Sequence, residues 1–517
     1  MRQRNRRVLA GIVVFALALS ACASSNDDEP VRGGTLRVGT VDLATLDPAL
    51  ADEPTEVLVA EMLFTPLVGL DRRTQEPGPA LAARWQVNDA QTRFELTLLQ
   101  GIEFSNGDPI TADDVKATLD RVAAPATESP ISGLLAPIAG FVELQAGAAE
   151  TLTGVEATDR RTVVITLATP FAAFPAVLAN PGLGIVSADG LDDLATDPVG
   201  SGPFRVVDQD GDGYQLRRTE ADAIRPRVAR VDLVAYDDAA AAHKALTAGR
   251  VDVVRLGAGD EVPTRTLEYG APYLATGFYA MDRENPKFAD TRFRQAIVRA
   301  LDVDGLVEAG YPRAGIVAEG LFPAGVFGGP RDQCRDVCDH DLAGAKQLLA
   351  EAFPDGTVPA INIDFDDNPT QAAIAERAIA QLATAGIAAV ARPHAQDAYA
   401  EFLANGDPDL FRSGIVGQFT SDDTFLSPWF ITGAGENVAR IAVAEVDAAV
   451  NEARQTGGAD ARAEIYATAG EAVLTTYAVL PVVQFVIRYA TSRSVRGMTV
   501  DPFGGFDATT VWIRPAS

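Results

Sequence analysis

Phe94 to Asp114 reads FELTLLQGIEFSNGDPITADD, and its reading decides the fold class. Arg93 to Leu99 is rich in aromatic, aliphatic and β-branched residues and reads as a strand. A turn led by Gly101 follows, then an aromatic, Phe104, then the turn string Asn106-Gly107-Asp108-Pro109. Thr111 stands three residues before Asp114, the spacing of a reciprocal helix cap, and Val115, Leu119 and Val122 supply the apolar face of the helix it opens. A strand that hands over to a capped helix through two tight turns belongs to a mixed α/β chain.

The same alternation extends in both directions. Thr35 to Thr40, Thr162 to Leu167, Arg230 to Tyr236 and Ala275 to Met281 read as strands. Phe293, Ile297 and Leu301 keep helical spacing, as do Leu342, Ala345, Leu348, Leu349 and Ala352. Ile374, Ala378, Leu382 and Ala385 make another helix, stopped by Gly386. There is no short repeat. The mixture argues α/β or α+β rather than all-β, and 517 residues are too many for one core, so two or three domains are expected.

A hydrophobic fraction of 47% and a charged fraction of 22% are those of an ordinary globular protein. The net charge of −28 repels phosphate backbones and argues against a nucleic-acid partner. Enzyme constellations are scarce. The histidines are His243, His340 and His394, and Gly200-Ser201-Gly202 lacks the frame of a nucleophile elbow. No zinc-protease or phosphate-loop string occurs, which lowers the odds of an enzyme without excluding carboxylate chemistry. Asp208-Gln209-Asp210-Gly211-Asp212-Gly213 matches the first half of a calcium loop, but the twelfth position is Thr219, and the strand-like runs on either side fit a hairpin turn as well. No cofactor or metal is expected.

The chain begins with Arg2, Arg4, Arg6 and Arg7, an apolar run from Val8 to Leu19, and Leu19-Ser20-Ala21-Cys22 before a polar stretch. That is the pattern of a secretory signal; the apolar run is too short to cross a bilayer as a helix. The Leu-Ser-Ala-Cys ending resembles the bacterial lipoprotein signal, which implies lipidation at Cys22, removal of residues 1–21 and a flexible tether over 22–32. The protein is then extracytoplasmic, lipid-anchored to the outer face of the cell membrane. Outside the cell, Cys334 and Cys338 are expected to form a small loop-closing disulfide; the rival, a metal pair with His340, falls short of a closed zinc site.

Several segments, in order, resemble the extracytoplasmic solute-binding proteins of peptide-type ABC importers, family 5. They are Gly33-Gly34-Thr35-Leu36 with Thr45-Leu46-Asp47-Pro48; Glu61 to Leu67; Pro79 to Trp85; the opening stretch Phe94 to Asp114; Val199 to Phe204; Phe288 to Asp302; and Asp341 to Glu351. The resemblance covers nearly the whole chain after the leader. It implies a two-lobed periplasmic-binding-protein-like fold with an extra subdomain on the N-terminal lobe, which encloses a solute by hinge closure. Carried over, lobe I is about 33–265 and 483–517, the extra subdomain about 76–204, and lobe II about 266–482. It also implies an ABC permease as partner, a small peptide or other small-molecule solute as cargo, a monomer, and no enzymatic activity. An exported sensor or scaffold with the same fold is the alternative, as is a receptor for a non-peptide solute.

This sequence departs from the family where short-peptide binders hold a free amine. A gapless count back from Phe425-Leu426 puts Gln418 at the position of the anchoring Asp and Ile415 at that of a Trp. A Trp further upstream falls on Gln396, and no Arg stands in Ile363 to Pro369. An amide oxygen carries no charge to match a buried ammonium. The candidate ligand residues are therefore Gln418, Gln396 and Ile415, with Asp422 or Asp423 as substitutes for the missing acid, or as a helix cap. Phe365, Phe419 and Trp429 are candidate cleft walls or core, and Asp42 and Leu43, after the opening strand, complete the set. Asp364, Asp366 and Asp367 read as solvated loop charges.

Overall fold

The structure is a computed structural model that describes residues 30–515 except 42, 72, 196, 212, 220–224, 325 and 327–331. The signal segment, Cys22 and Asp42 lie outside the described residues.

The stretch that opened the sequence reading folds as it reads. Arg93–Leu98 is a strand and Ala112–Ala123 a helix. The Asp114 carboxylate accepts from the Thr111 backbone N–H at 2.9 Å and from its hydroxyl at 2.7 Å, which satisfies the helix start. The strand joins Ala82–Val87, Thr162–Thr166 and Val155–Asp159 in a four-stranded antiparallel sheet. Phe94, Leu96 and Leu98 point inward with Val115, Leu119 and Phe174 to make its core.

Among the described residues, eleven strands form one larger sheet that runs through both lobes. At one end Thr35–Thr40 lies parallel to Arg230–Ala235 and Val253–Leu256. At the other, Ile361–Asp366 lies parallel to Ala389–His394 and Leu410–Val416. Two long antiparallel strands, Thr266–Met281 and Val479–Ser492, carry the sheet from one end to the other. Thr266 to Pro272 pairs with Val486 to Ser492, which in turn meets Val253–Leu256. A register shift between Pro272 and Thr276 breaks that ladder, and Thr276 to Ala280 then pairs with Gln484 to Val479 beside Leu410–Val416. Each crossing strand is thus held by one lobe along half its length and by the other along the rest. The fold is α/β and two-lobed.

Several local expectations hold. Thr291–Ala300, Leu342–Ala352 and Pro369–Ala385 are helices, and Gly386, at φ +98°, closes the last in the left-handed conformation. Cys334 and Cys338 are disulfide-bonded with Cα atoms 4.9 Å apart. The strands at either end of the calcium-like string pair with each other, Phe204–Asp210 with Gly213–Arg218, Asp210 opposite Gly213, and Asp212 lies outside the described residues.

One reading is corrected. Ile363 to Asp366 is not a loop but the strand Ile361–Asp366. Asp364 is fully buried, bound to the Arg392 guanidinium and to His394 Nε2 at 2.8 Å, and Asp366 pairs with Arg412 at 3.1 Å. The acids tolerate burial because neighbouring strands bring bases to them. Asp367 alone of the three is exposed.

Candidate ligand-binding site

After Leu410–Val416 the chain leaves the sheet at Gly417, whose N–H donates to the Leu274 carbonyl at 2.6 Å. A Cβ here would meet the Phe425 ring at 2.8 Å, so the close approach needs glycine. Residues 418–422 then form a loop before the helix Asp423–Phe430. This loop is where the second lobe touches the extra subdomain. The Asn180 side-chain amide donates to the Gln418 carbonyl at 2.7 Å. Phe419, 7% exposed, inserts into the subdomain core with its ring edge-on to Phe171, centroids 5.9 Å apart. Alongside, the Ala172 N–H donates to the Arg454 carbonyl at 2.7 Å, and the Arg454 guanidinium lies 5.3 Å from the Phe171 ring centre.

Two cavities flank this contact. One, of about 360 Å³, is walled mainly by apolar residues of the first lobe, including Phe64, Leu70, Pro181 and Phe503. The Glu61 and Asp501 carboxyls meet in its wall; burial, and then the charge of Asp501, push Glu61 well above the ordinary carboxylate range. The other, of about 410 Å³, takes its walls from both sides: Trp85, Gln91, Ala172 and Pro175 from the subdomain, and Thr420, Ser421, Asp422, Arg462 and Tyr466 from the second lobe. Both volumes are in the range of small-molecule pockets, about 300–1,000 Å³.

The structure separates the two acids that the sequence left as alternatives. Asp423 is 3% exposed and fully engaged: Arg454 donates to both its oxygens at 2.8 and 2.9 Å, and the Tyr466 hydroxyl donates at 2.8 Å. Asp422, 2% exposed, precedes the helix but its side chain caps nothing, and its Oδ1 has no hydrogen-bond partner among the described residues. Burial, and then the neighbouring Asp423, hold its carboxyl well above the usual range, against the pull of Arg462.

The remaining candidates scatter. Gln418 is half-buried at the lobe contact, bonded through its backbone: its N–H donates to Thr424 Oγ1 at 3.3 Å. Ile415, 1% exposed, belongs to the core of the second lobe with Phe278 and Phe425, and Phe365, 2% exposed, to the core under Pro369–Ala385. Gln396 is exposed beyond the edge strand Ala389–His394, at the end of the sheet order and away from both cavities. Trp429 sits edge-on to Phe278, and Leu43 packs against the core of the first lobe. Arg462, Tyr466 and Thr420 escaped the sequence reading; the first two come from the helix Ala459–Leu474, and no local pattern marks them as cavity residues.

The family profile of the bacterial extracellular solute-binding proteins, family 5 Middle, matches residues 76–437. The chain belongs to this family. It is 26% identical over 486 residues to a probable di/tripeptide-binding protein 5 of Pseudomonas aeruginosa, spanning 88% of this chain and 90% of the relative. It is 28% identical over 503 residues to heme-binding protein A of Haemophilus influenzae, spanning 89% and 88%. The unliganded open form of the periplasmic murein tripeptide binding protein MppA superposes with a TM-score of 0.81 at 21% identity, covering 93% of this chain and 97% of the other. The two-lobed architecture is therefore shared with that protein, and the chain is a solute-binding protein of the kind that serves ABC importers.

Proposed function

We propose that this chain is the lipid-anchored receptor of an ABC importer, which captures a peptide or peptide-like solute between its lobes and delivers it to a membrane permease. The observation that carries the reading is a cavity walled from both sides of a two-strand crossing whose ladder is interrupted between Pro272 and Thr276. A register break on the crossing strands is a natural pivot, and rotation about it opens or seals such a cavity. In this reading the lobes divide near residues 266 and 483, Cys22 carries the anchor, and the loop 418–422 is the part of the second lobe that meets solute. The di/tripeptide name of one relative favours a small peptide. The heme name of another, with Gln418 in place of an acid, keeps a non-peptide solute as the second reading.

The test is mass spectrometry of the small molecules released when the purified protein is denatured. A released peptide supports the proposal. A released non-peptide retains the receptor and changes its cargo. Failure of any solute to bind in a thermal-shift screen, together with no uptake defect in a deletion strain, overturns it.

A further inference from the structure

We propose that the 360 Å³ cavity of the first lobe is a second binding site, for a compact organic cation: a primary amine with an apolar body, its ammonium held between Glu61 and Asp501. The cavity is lined by residues within 61–80, 179–203 and 499–509 and by none from the second lobe or the loop 418–422. The inference goes beyond the receptor reading and does not depend on it.

Two elements bring the acids together. Glu61 stands near the end of the helix Pro54–Leu63, and Asp501 on the segment between the short paired strands Val495–Arg496 and Trp512–Ile513. A Cβ on Gly505 would collide with Glu61 Oε2 and lie 2.7 Å from Asp501 Oδ2, so both oxygens converge on one spot that only glycine leaves open. Asp501 Oδ2 is buried, and no N–H or O–H of a described residue reaches it. The group that faces it is the Glu61 carboxyl, a second acceptor, and the two bond only through an added proton. Burial pushes both carboxyls above the ordinary range. A buried acceptor without a donor is costly, and each such group in a native fold calls for an explanation.

Holding the fold together is not that explanation. The segment is fixed by other bonds: the Pro502 carbonyl accepts from the Leu274 N–H at 3.1 Å, the Gly504 carbonyl from the Tyr489 hydroxyl at 2.7 Å, and the Thr499 carbonyl from the Asp507 N–H at 3.0 Å. The turn itself needs only Asp501 Oδ1, which accepts from the Phe503 N–H at 2.8 Å and the Gly505 N–H at 3.2 Å. Glu61 and Asp501 Oδ2 are therefore surplus to the local structure.

The rest of the wall selects the ligand. Phe64, Leu70, Pro181, Phe503 and Phe506 give it an apolar body. Asp507 adds a third acid, and no lysine, arginine or histidine is among the described residues that line the cavity. An anionic group would meet acids with no base to hold it, so an amino acid or peptide fits poorly. A metal ion of the calcium type wants six to eight oxygens, more than this pair provides. An ammonium brings three N–H donors to two converging acceptors, and such charge-assisted bonds are the strong ones. With the cavity empty one carboxyl keeps a proton; the entering ammonium replaces it, and the proton leaves to solvent.

The experiment is calorimetric titration of the purified protein at pH 7 with 2-phenylethylamine, its N-acetyl form, phenylalanine and calcium chloride. The expected result is that the amine binds at least tenfold more tightly than the N-acetyl form or phenylalanine, with proton release visible as a buffer-dependent heat. Glu61→Gln and Asp501→Asn should each weaken the amine at least tenfold. Each amide can donate to the remaining carboxylate, so the melting temperature of either variant without ligand should stay level or rise. Equal affinity for the amine and its N-acetyl form, or no binding of the amine, leaves the pair a proton-sharing contact and overturns the proposal. Phenylalanine binding as tightly as the amine, or calcium displacing it, overturns it as well. Loss of amine binding in Asp422→Asn would place the amine in the other cavity and overturn it. Variants that lose several degrees of melting temperature along with the amine would mark the pair as structural, with the same consequence. The receptor reading stands under each of these outcomes.

Discussion

The Asn180 side chain spans two jobs: its Oδ1 accepts from the Gly182 N–H at 2.8 Å, and its Nδ2 reaches across the lobes to the Gln418 carbonyl at 2.7 Å. The same amide that shapes its own turn therefore ties the extra subdomain to the second lobe. Asn180→Ala leaves a half-buried carbonyl without its donor, at a cost of about 1 kcal/mol. We expect the variant to favour an open arrangement, with a larger radius of gyration in small-angle scattering of the empty protein and weaker solute binding. An unchanged radius and affinity would show that the bond does not govern the opening.

The tie runs through the backbone of Gln418, not its side chain. Gln418→Ala should therefore change folding stability by no more than about 0.5 kcal/mol in denaturant melts. Solute affinity should still fall, because the side chain stands on the loop that the proposed function sets against the solute. Unchanged affinity would remove the Gln418 side chain from the site.

Asp423 behaves oppositely. Its truncation leaves the Arg454 guanidinium uncompensated and the Tyr466 hydroxyl without an acceptor. Breaking a buried pair by removing one partner costs about 3–5 kcal/mol. Asp423→Ala should lower the denaturation midpoint accordingly; a loss under about 1 kcal/mol would mean that the pair is solvent-relaxed.

Asp422 gives stability a pH dependence of definite sign. Its carboxyl is raised in the folded state, so the folded protein binds more protons than the unfolded chain above the ordinary carboxyl value of about 3.9. Its contribution to stability is present at low pH and declines as pH rises towards the raised value. Asp422→Asn removes that decline. The melting temperature of the variant relative to the parent should climb between pH 4 and pH 7, measured without solute. A difference that stays flat over this range would contradict a buried, proton-holding Asp422.

Much of the scaffold was legible because it is local. The cap of Thr111 and Asp114, the periodicity of Ile374 to Ala385 and the stop at Gly386 depend on residues a few positions apart. The site was legible only in outline. Counting from Phe425-Leu426 located the loop that carries Gln418 and Asp422, but it could not tell which residues face inward: Ile415 turned into the core on the alternation of its strand, and Gln396 lies at the far edge of the sheet. Asp364 looked solvated because a run of acids before Asn-Pro resembles a loop, and the bases that bury it, Arg392 and His394, arrive from the adjacent strand.

The sequence by itself determined the mixed α/β class, several of the strands and helices and the family, since each is written in short stretches of chain. Tertiary structure decided which of two adjacent aspartates is spent on stability. Arg454 and Tyr466, on two helices 31 and 43 residues downstream, reach Asp423, while Asp422 in the cavity wall keeps an Oδ1 with no hydrogen-bond partner among the described residues. Neighbouring acids are equivalent in sequence; they are distinguished by the directions in which the backbone aims them and by what distant elements bring within hydrogen-bond reach.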